Sequence, residues 1–160
     1  MAQTRNEVPL NMEGCMMLAL STFRRSEKAI EVALEKSRET KKLMVVYVVD
    51  IDVARYFVGV EDEVSIKYRE TCESEMLEKA EKEAREHVAT IAKRAEKEGI
   101  EVKTLVQLGQ FAVVSLDAVN RLRPSLIVTT RSRRPEWVKK FFGAPVDELI
   151  AKAGCPVVTA

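Results

Sequence analysis

The chain has little of what most site chemistry requires. Its 160 residues include one histidine, His87, and three cysteines, Cys15, Cys72 and Cys155. No two cysteines form a C-x-x-C pair and His87 is the one histidine, so the ligand spacing of a zinc site is missing and no metal site is expected. The cysteines are odd in number and widely spaced, which excludes a disulfide framework. They read as reduced, buried thiols of a cytoplasmic protein. No apolar run approaches the ~20 residues of a membrane span. Met1 to Gly14 lacks the apolar stretch of a secretory signal and reads as a short N-terminal extension, 1–14, ahead of a single domain, 15–160. A glycine-framed serine, a His/Cys constellation and a Walker-type loop are all missing, so no catalytic residue is assigned and an enzyme is not expected. A formal net charge of +1 argues against a globally basic nucleic-acid surface.

What is present is a regular alternation of two hydrophobic periods. Cys15 to Leu20 is a short apolar run read as strand one, closed by Ser21-Thr22. From Ser26, the apolar positions Ala29, Ile30, Ala33 and Leu34 recur at helical spacing. Leu43 to Val49 is an uninterrupted, β-branched run, as a central strand buried on both faces needs; it ends in Asp50-Ile51-Asp52. The stretch 51–64 has no clean period and reads as a long loop over a cleft. Ser65 to Glu98 predicts a long helix with Cys72, Met76, Ala80, Ala84, Val88, Ile91 and Ala95 on one stripe. Its i,i+4 acid–base pairs form a solvated face, where His87 reads as a surface residue. Ile100 to Gln107 predicts a third strand nearer an edge, followed by a helix over Gln110 to Leu122. Leu126 to Thr130 is strand four. A basic loop, Arg131 to Phe142, leads to a last helix carrying Val146, Leu149, Ile150 and Ala151 inward. Pro156 to Thr159 is the fifth strand, where proline suits the first position. The resulting order, β-α-β-α-β-α-β-α-β, predicts an α/β fold with a parallel sheet and helices on both faces.

Three stretches together resemble the universal stress protein family, from about Met16 to Ala160. Leu18-Ala19-Leu20 with Ser26-Glu27-Lys28-Ala29 is similar to its opening strand and first helix. Val48-Val49-Asp50 resembles the end of its second strand. Gly143, Leu149-Ile150 and Gly154-Cys155-Pro156-Val157-Val158 resemble its final helix and last strand. The resemblance implies a Rossmann-like, five-stranded parallel sheet in order 3-2-1-4-5 and a homodimer through the last strand.

That order places a topological switch between strands one and four, where sheets of this type bind ligands at their carboxyl ends. Ser21, Thr22, Thr129, Thr130 and Arg131 would rim the crevice, with Val49 and Asp50 ending strand two beside it. Acids such as Asp50 and Asp52 suit a ligand's base or sugar, and equally an ordinary turn. ATP-binding members follow strand four with Gly-x-x-Gly, nine residues, then Gly-Ser or Gly-Thr. Here Thr130 and Arg133 occupy the two early glycine positions, Gly143 is retained, Ala144 replaces the hydroxyl, and Ser21 replaces an expected acid. ATP is therefore a candidate cofactor, and none is assigned. Arg131, Arg133, Arg134, Lys139 and Lys140 concentrate positive charge in this loop, with Glu136 opposing it. Arginine forks can hold a phosphate where backbone amides no longer can; the other reading is a solvated or partner-facing loop. Trp137 reads as core or as a subunit anchor, and Phe141 and Phe142 as core. The function expected is a cytoplasmic stress-response protein that binds or interacts, responding to a nucleotide or other anionic ligand, with no nucleic-acid or membrane partner. The alternative is an ATP-binding member with weak hydrolysis or phosphotransfer, using Ser21, Asp50, Thr130, the loop arginines and Gly143.

Overall fold

The computed structural model describes residues 12–22, 24–50, 63–131 and 145–160, of which 63–73 are described as backbone. Five strands and four helices are seen among them: β1 (Met16–Ser21), α1 (Glu27–Thr40), β2 (Lys42–Asp50), α2 (Glu63–Lys97), β3 (Glu101–Gly109), α3 (Phe111–Leu122), β4 (Leu126–Thr129), α4 (Pro145–Lys152) and β5 (Val157–Thr159). The strands form one sheet in the order β3-β2-β1-β4-β5, and every pair is parallel. The expected fold and strand order are those observed.

The sheet is central because β1 and β2 bury both of their faces. All six residues of β1 are buried, as are eight of the nine in β2. One face, carrying Met17, Ala19, Met44, Val46 and Leu105, packs under α3 and α4. The other, carrying Leu18, Leu20, Val45, Tyr47 and Val49, packs under α1 and α2. The alternation of neighbours to opposite faces is the two-residue period of an extended chain. β3, by contrast, has only Leu105 fully buried, as an edge strand should.

Local signals set the helix ends. Ser26 caps α1, its Oγ accepting from the Ala29 N–H at 3.2 Å. Lys41 ends the same helix in the left-handed region, with its N–H donating to the Ser37 carbonyl at 2.8 Å.

Several expectations need correction. α2 begins at Glu63, so Glu63 and Val64 belong to it rather than to the preceding loop. Ile150 is 47% exposed and Ala151 is exposed, because α4 is short and turns only Val146 and Leu149 inward. Met12, assigned by sequence to the extension, is fully buried in the core under α3 and α4. Of the thiols, Cys15 is buried and Cys155 half-buried. The predicted loop at 51–62, and Trp137, Phe141 and Phe142, lie outside the described residues.

Candidate functional site

The register puts the strand ends together. β1 pairs with β2 from Met16↔Leu43 to Ser21↔Val48, and with β4 from Met16↔Leu126 to Ala19↔Thr129. Because β1 has β2 on one side and β4 on the other, the connections leave in opposite directions between β1 and β4, and a divergence of this kind is where such sheets form a crevice at the carboxyl edge.

The wall after β1 is a tight turn. The Ser21 N–H donates to the Arg24 carbonyl at 3.3 Å, and the Arg24 N–H to the Ser21 carbonyl at 2.9 Å. The Thr22 N–H donates to the Val48 carbonyl at 3.2 Å, so the turn is tied to β2 as well. Ser21 is 1% exposed and Arg24 6%. The Arg24 guanidinium lies 5.2 Å from the centroid of the Phe111 ring, at the start of α3. That stack supports a charge held largely out of water. Arg25 turns the other way. Its Nε donates to the Tyr47 hydroxyl at 2.8 Å, and its NH2 group stands 3.7 Å from a Glu83 carboxylate oxygen on α2.

The opposite wall is the end of β4. Thr129 is fully buried, and its Oγ1 donates to the Ala19 carbonyl at 2.8 Å. Thr130 is 5% exposed, with its Oγ1 buried and unpaired among the described residues. The Thr22 Oγ1 is also buried and unpaired. It stands near the Tyr47 phenol, close enough for hydrogen bonding to favour the phenolate, though short of a well-formed hydrogen bond. Arg131 is exposed, while its N–H donates to the Ala160 carbonyl at 3.2 Å.

Of the residues proposed from sequence, Ser21, Thr22, Thr130 and Arg131 are brought to this edge. Asp50 reaches it at the end of β2, 8% exposed and engaged in an interaction of its own. Val49 points into the core under α1 and α2, fully buried. Arg133, Arg134, Gly143 and Ala144 lie outside the described residues.

Arg24 and Arg25 were not singled out from sequence. The signal was two adjacent arginines in a short connection between a buried strand and a helix, a place with little room for either. His87 was misread as a surface residue. Its Nε2 is buried without a partner, and its ring meets Tyr47 edge-on, with centroids 6.2 Å apart. Burial first, and then the Arg25 charge, hold its pKa below the usual histidine value, with Glu27 opposing them. Burial likewise raises the Tyr47 phenol, against the hydrogen bond and charge of Arg25.

Chemically, the crevice offers hydroxyls and guanidinium groups, which donate to anions. The arrangement is that of an α/β fold with a topological switch point in a parallel sheet. The universal stress protein family matches residues 16–160, and the chain belongs to it. Solved structures share the fold. Universal stress protein UspA from Lactobacillus plantarum is 18% identical, with a TM-score of 0.67 over 92% of this chain and 97% of that one. A family protein from Burkholderia pseudomallei is 19% identical, with a TM-score of 0.56 over 95% and 98%. One from Arabidopsis thaliana, determined with AMP bound, is 15% identical, with a TM-score of 0.51 over 91% and 90%. Comparison with curated proteins finds no match.

Proposed function

We propose that this chain is a cytoplasmic stress-response binding module that recognises the phosphate of a nucleotide, or a similar anion, without turning it over. The observation that carries the reading is Thr130. A buried hydroxyl without a partner costs about 1–3 kcal/mol, so it needs a reason to persist. Here it stands at the switch between β1 and β4 with the exposed Arg131 following it, while Arg24, in the turn after β1, is buried against Phe111. Hydroxyl and guanidinium donors replace the glycine amides that ATP-binding relatives use, so recognition passes from backbone to side chains. The Arabidopsis relative with AMP bound supports a nucleotide as the ligand. Free thiols at Cys15 and Cys155 suit a reducing compartment. In the same reading, a second copy pairs along β5, an edge strand of the sheet.

The test is a titration with AMP, ATP–Mg²⁺ and inorganic phosphate, read by calorimetry and thermal unfolding. Ligand at about a hundred times its Kd adds ~2.7 kcal/mol, raising the midpoint by roughly 5–10 °C. Thr130→Val should weaken binding by roughly threefold to tenfold while leaving the ligand-free protein as stable or more so. Arg131→Ala should weaken it without changing the fold. No saturable response at millimolar ligand would refute the reading, and steady phosphate release from ATP would refute its non-enzymatic part.

A further inference from the structure

β3 is a long strand with nothing paired to its outer side among the described residues. Its nine residues pair with β2 without a break, from Lys42↔Glu101 to Asp50↔Gly109. It contains no proline and no bulge, and Lys103 is its one lysine. Proteins usually blunt such an edge, because its free N–H and C=O groups template another strand. Beside it, α2 and β3 enclose a groove of about 480 Å³. Thr104 and Val106 line its floor, and Arg85, Val88, Ala89, Ala92, Lys93 and Glu96 line its α2 wall.

The pattern on α2 has a symmetry. Arg85, Ala89, Ala92 and Glu96 form one row at spacings of four, three and four, which places them on one helix face. Turned end for end against itself, the row sets Arg85 opposite Glu96, Ala89 opposite Ala92, and Glu96 opposite Arg85. The centre of the row is the midpoint between Ala89 and Ala92, and the floor of the groove is centred on Leu105. One two-fold axis can therefore run through both.

We propose that the β3 edge and this face of α2 form a self-complementary surface that takes a second copy of the chain. Antiparallel pairing of β3 about Leu105 sets Thr104 against Val106 and Val102 against Leu108, which is 41% exposed. On the other face it sets Lys103 against Gln107, with no like charges opposed. Centring on Lys103 instead would oppose Lys103 with itself.

The helix spacing agrees. α2 lies over β2 and β3. With strands ~4.8 Å apart, the two α2 axes would stand roughly 10 Å apart, a packing distance that small residues such as alanine satisfy. Arg85 is 62% exposed and already bridges Glu81 at 2.7 Å; its fork has further N–H groups for a second carboxylate. Glu96 is exposed, and its carboxylate has no ion-pair partner among the described residues. This surface lies on the edge opposite β5, so both edges can be used at once.

Analytical ultracentrifugation over a concentration series decides the matter with three variants. Arg85→Glu and Glu96→Arg each place like charges at both ends of the row, and each should weaken association by roughly tenfold or more. Arg85→Glu/Glu96→Arg restores the pairing in reverse and should recover the assembled mass. All the substituted side chains are exposed, and far-UV circular dichroism checks the fold. A protein that stays monomeric, or an assembly that neither single reversal weakens, would overturn the proposal. So would a double variant no better than the singles.

Discussion

The Thr129 hydroxyl donates to the Ala19 carbonyl at 2.8 Å, inside a sheet where both residues are fully buried. Ala19 and Thr129 are also register partners, and they are the last such pair between β1 and β4. The bond therefore fastens the two strands at the point beyond which the chain diverges to form the crevice. Thr129→Val keeps the shape and removes the donor. The expected loss is about 1 kcal/mol, or a fall of about 2–4 °C in the unfolding midpoint by calorimetry. An unchanged midpoint would mean that the β1–β4 ladder alone holds the crevice.

His87 makes a prediction about pH. Its folded pKa lies below the usual value of about 6.5, through burial and the neighbouring Arg25 charge, with Glu27 opposing. Glu83 and Tyr47 face the same space. As pH falls past 6.5, the unfolded chain takes up the proton first, so it binds more protons than the native state. Stability is therefore fully present above 6.5 and is lost as pH falls through the folded pKa. An NMR titration of the imidazole should show a midpoint below 6.5. In His87→Gln the slope of stability against pH across this window should flatten. An imidazole midpoint at or above 6.5 would mean that burial and the Arg25 charge do not govern the ring.

Gly109 closes β3 where α3 comes close. A Cβ built there would sit 2.7 Å from the Val114 Cγ2 atom, and valine has no flexible tail to swing aside. Gly109→Ala should cost about 1–3 kcal/mol. Denaturant unfolding should show a lower midpoint with an unchanged slope. The double variant Gly109→Ala/Val114→Ala should recover part of the loss, which a purely conformational effect at Gly109 would not permit.

The elements were legible because each has a period of its own. The β-branched run from Leu43 to Val49 could only be a strand buried on both faces, and it became β2. Ala84, Val88, Ile91 and Ala95 recur at helical spacing and are the buried stripe of α2. The start of α2 was harder: Glu63 and Val64 extend the helix without extending the apolar pattern, so no period marks them. Ile150 misled because a short helix near an edge has too little sheet beneath it to bury every apolar residue on it.

The candidate site was legible only in part. The strand ends at Ser21, Thr22, Asp50 and Thr130 can be placed once the strand order is known. What each side chain does there depends on neighbours distant in sequence. Arg24 is held by Phe111, Arg25 by Tyr47 and Glu83, and His87 by Tyr47, each pair lying more than twenty residues apart or on separate elements. Sequence by itself determined which segments are strands and helices, since backbone periodicity is local. Tertiary structure decided which hydroxyl is left without a partner and which cation is buried, because desolvation and hydrogen bonding act between elements that only the fold brings together.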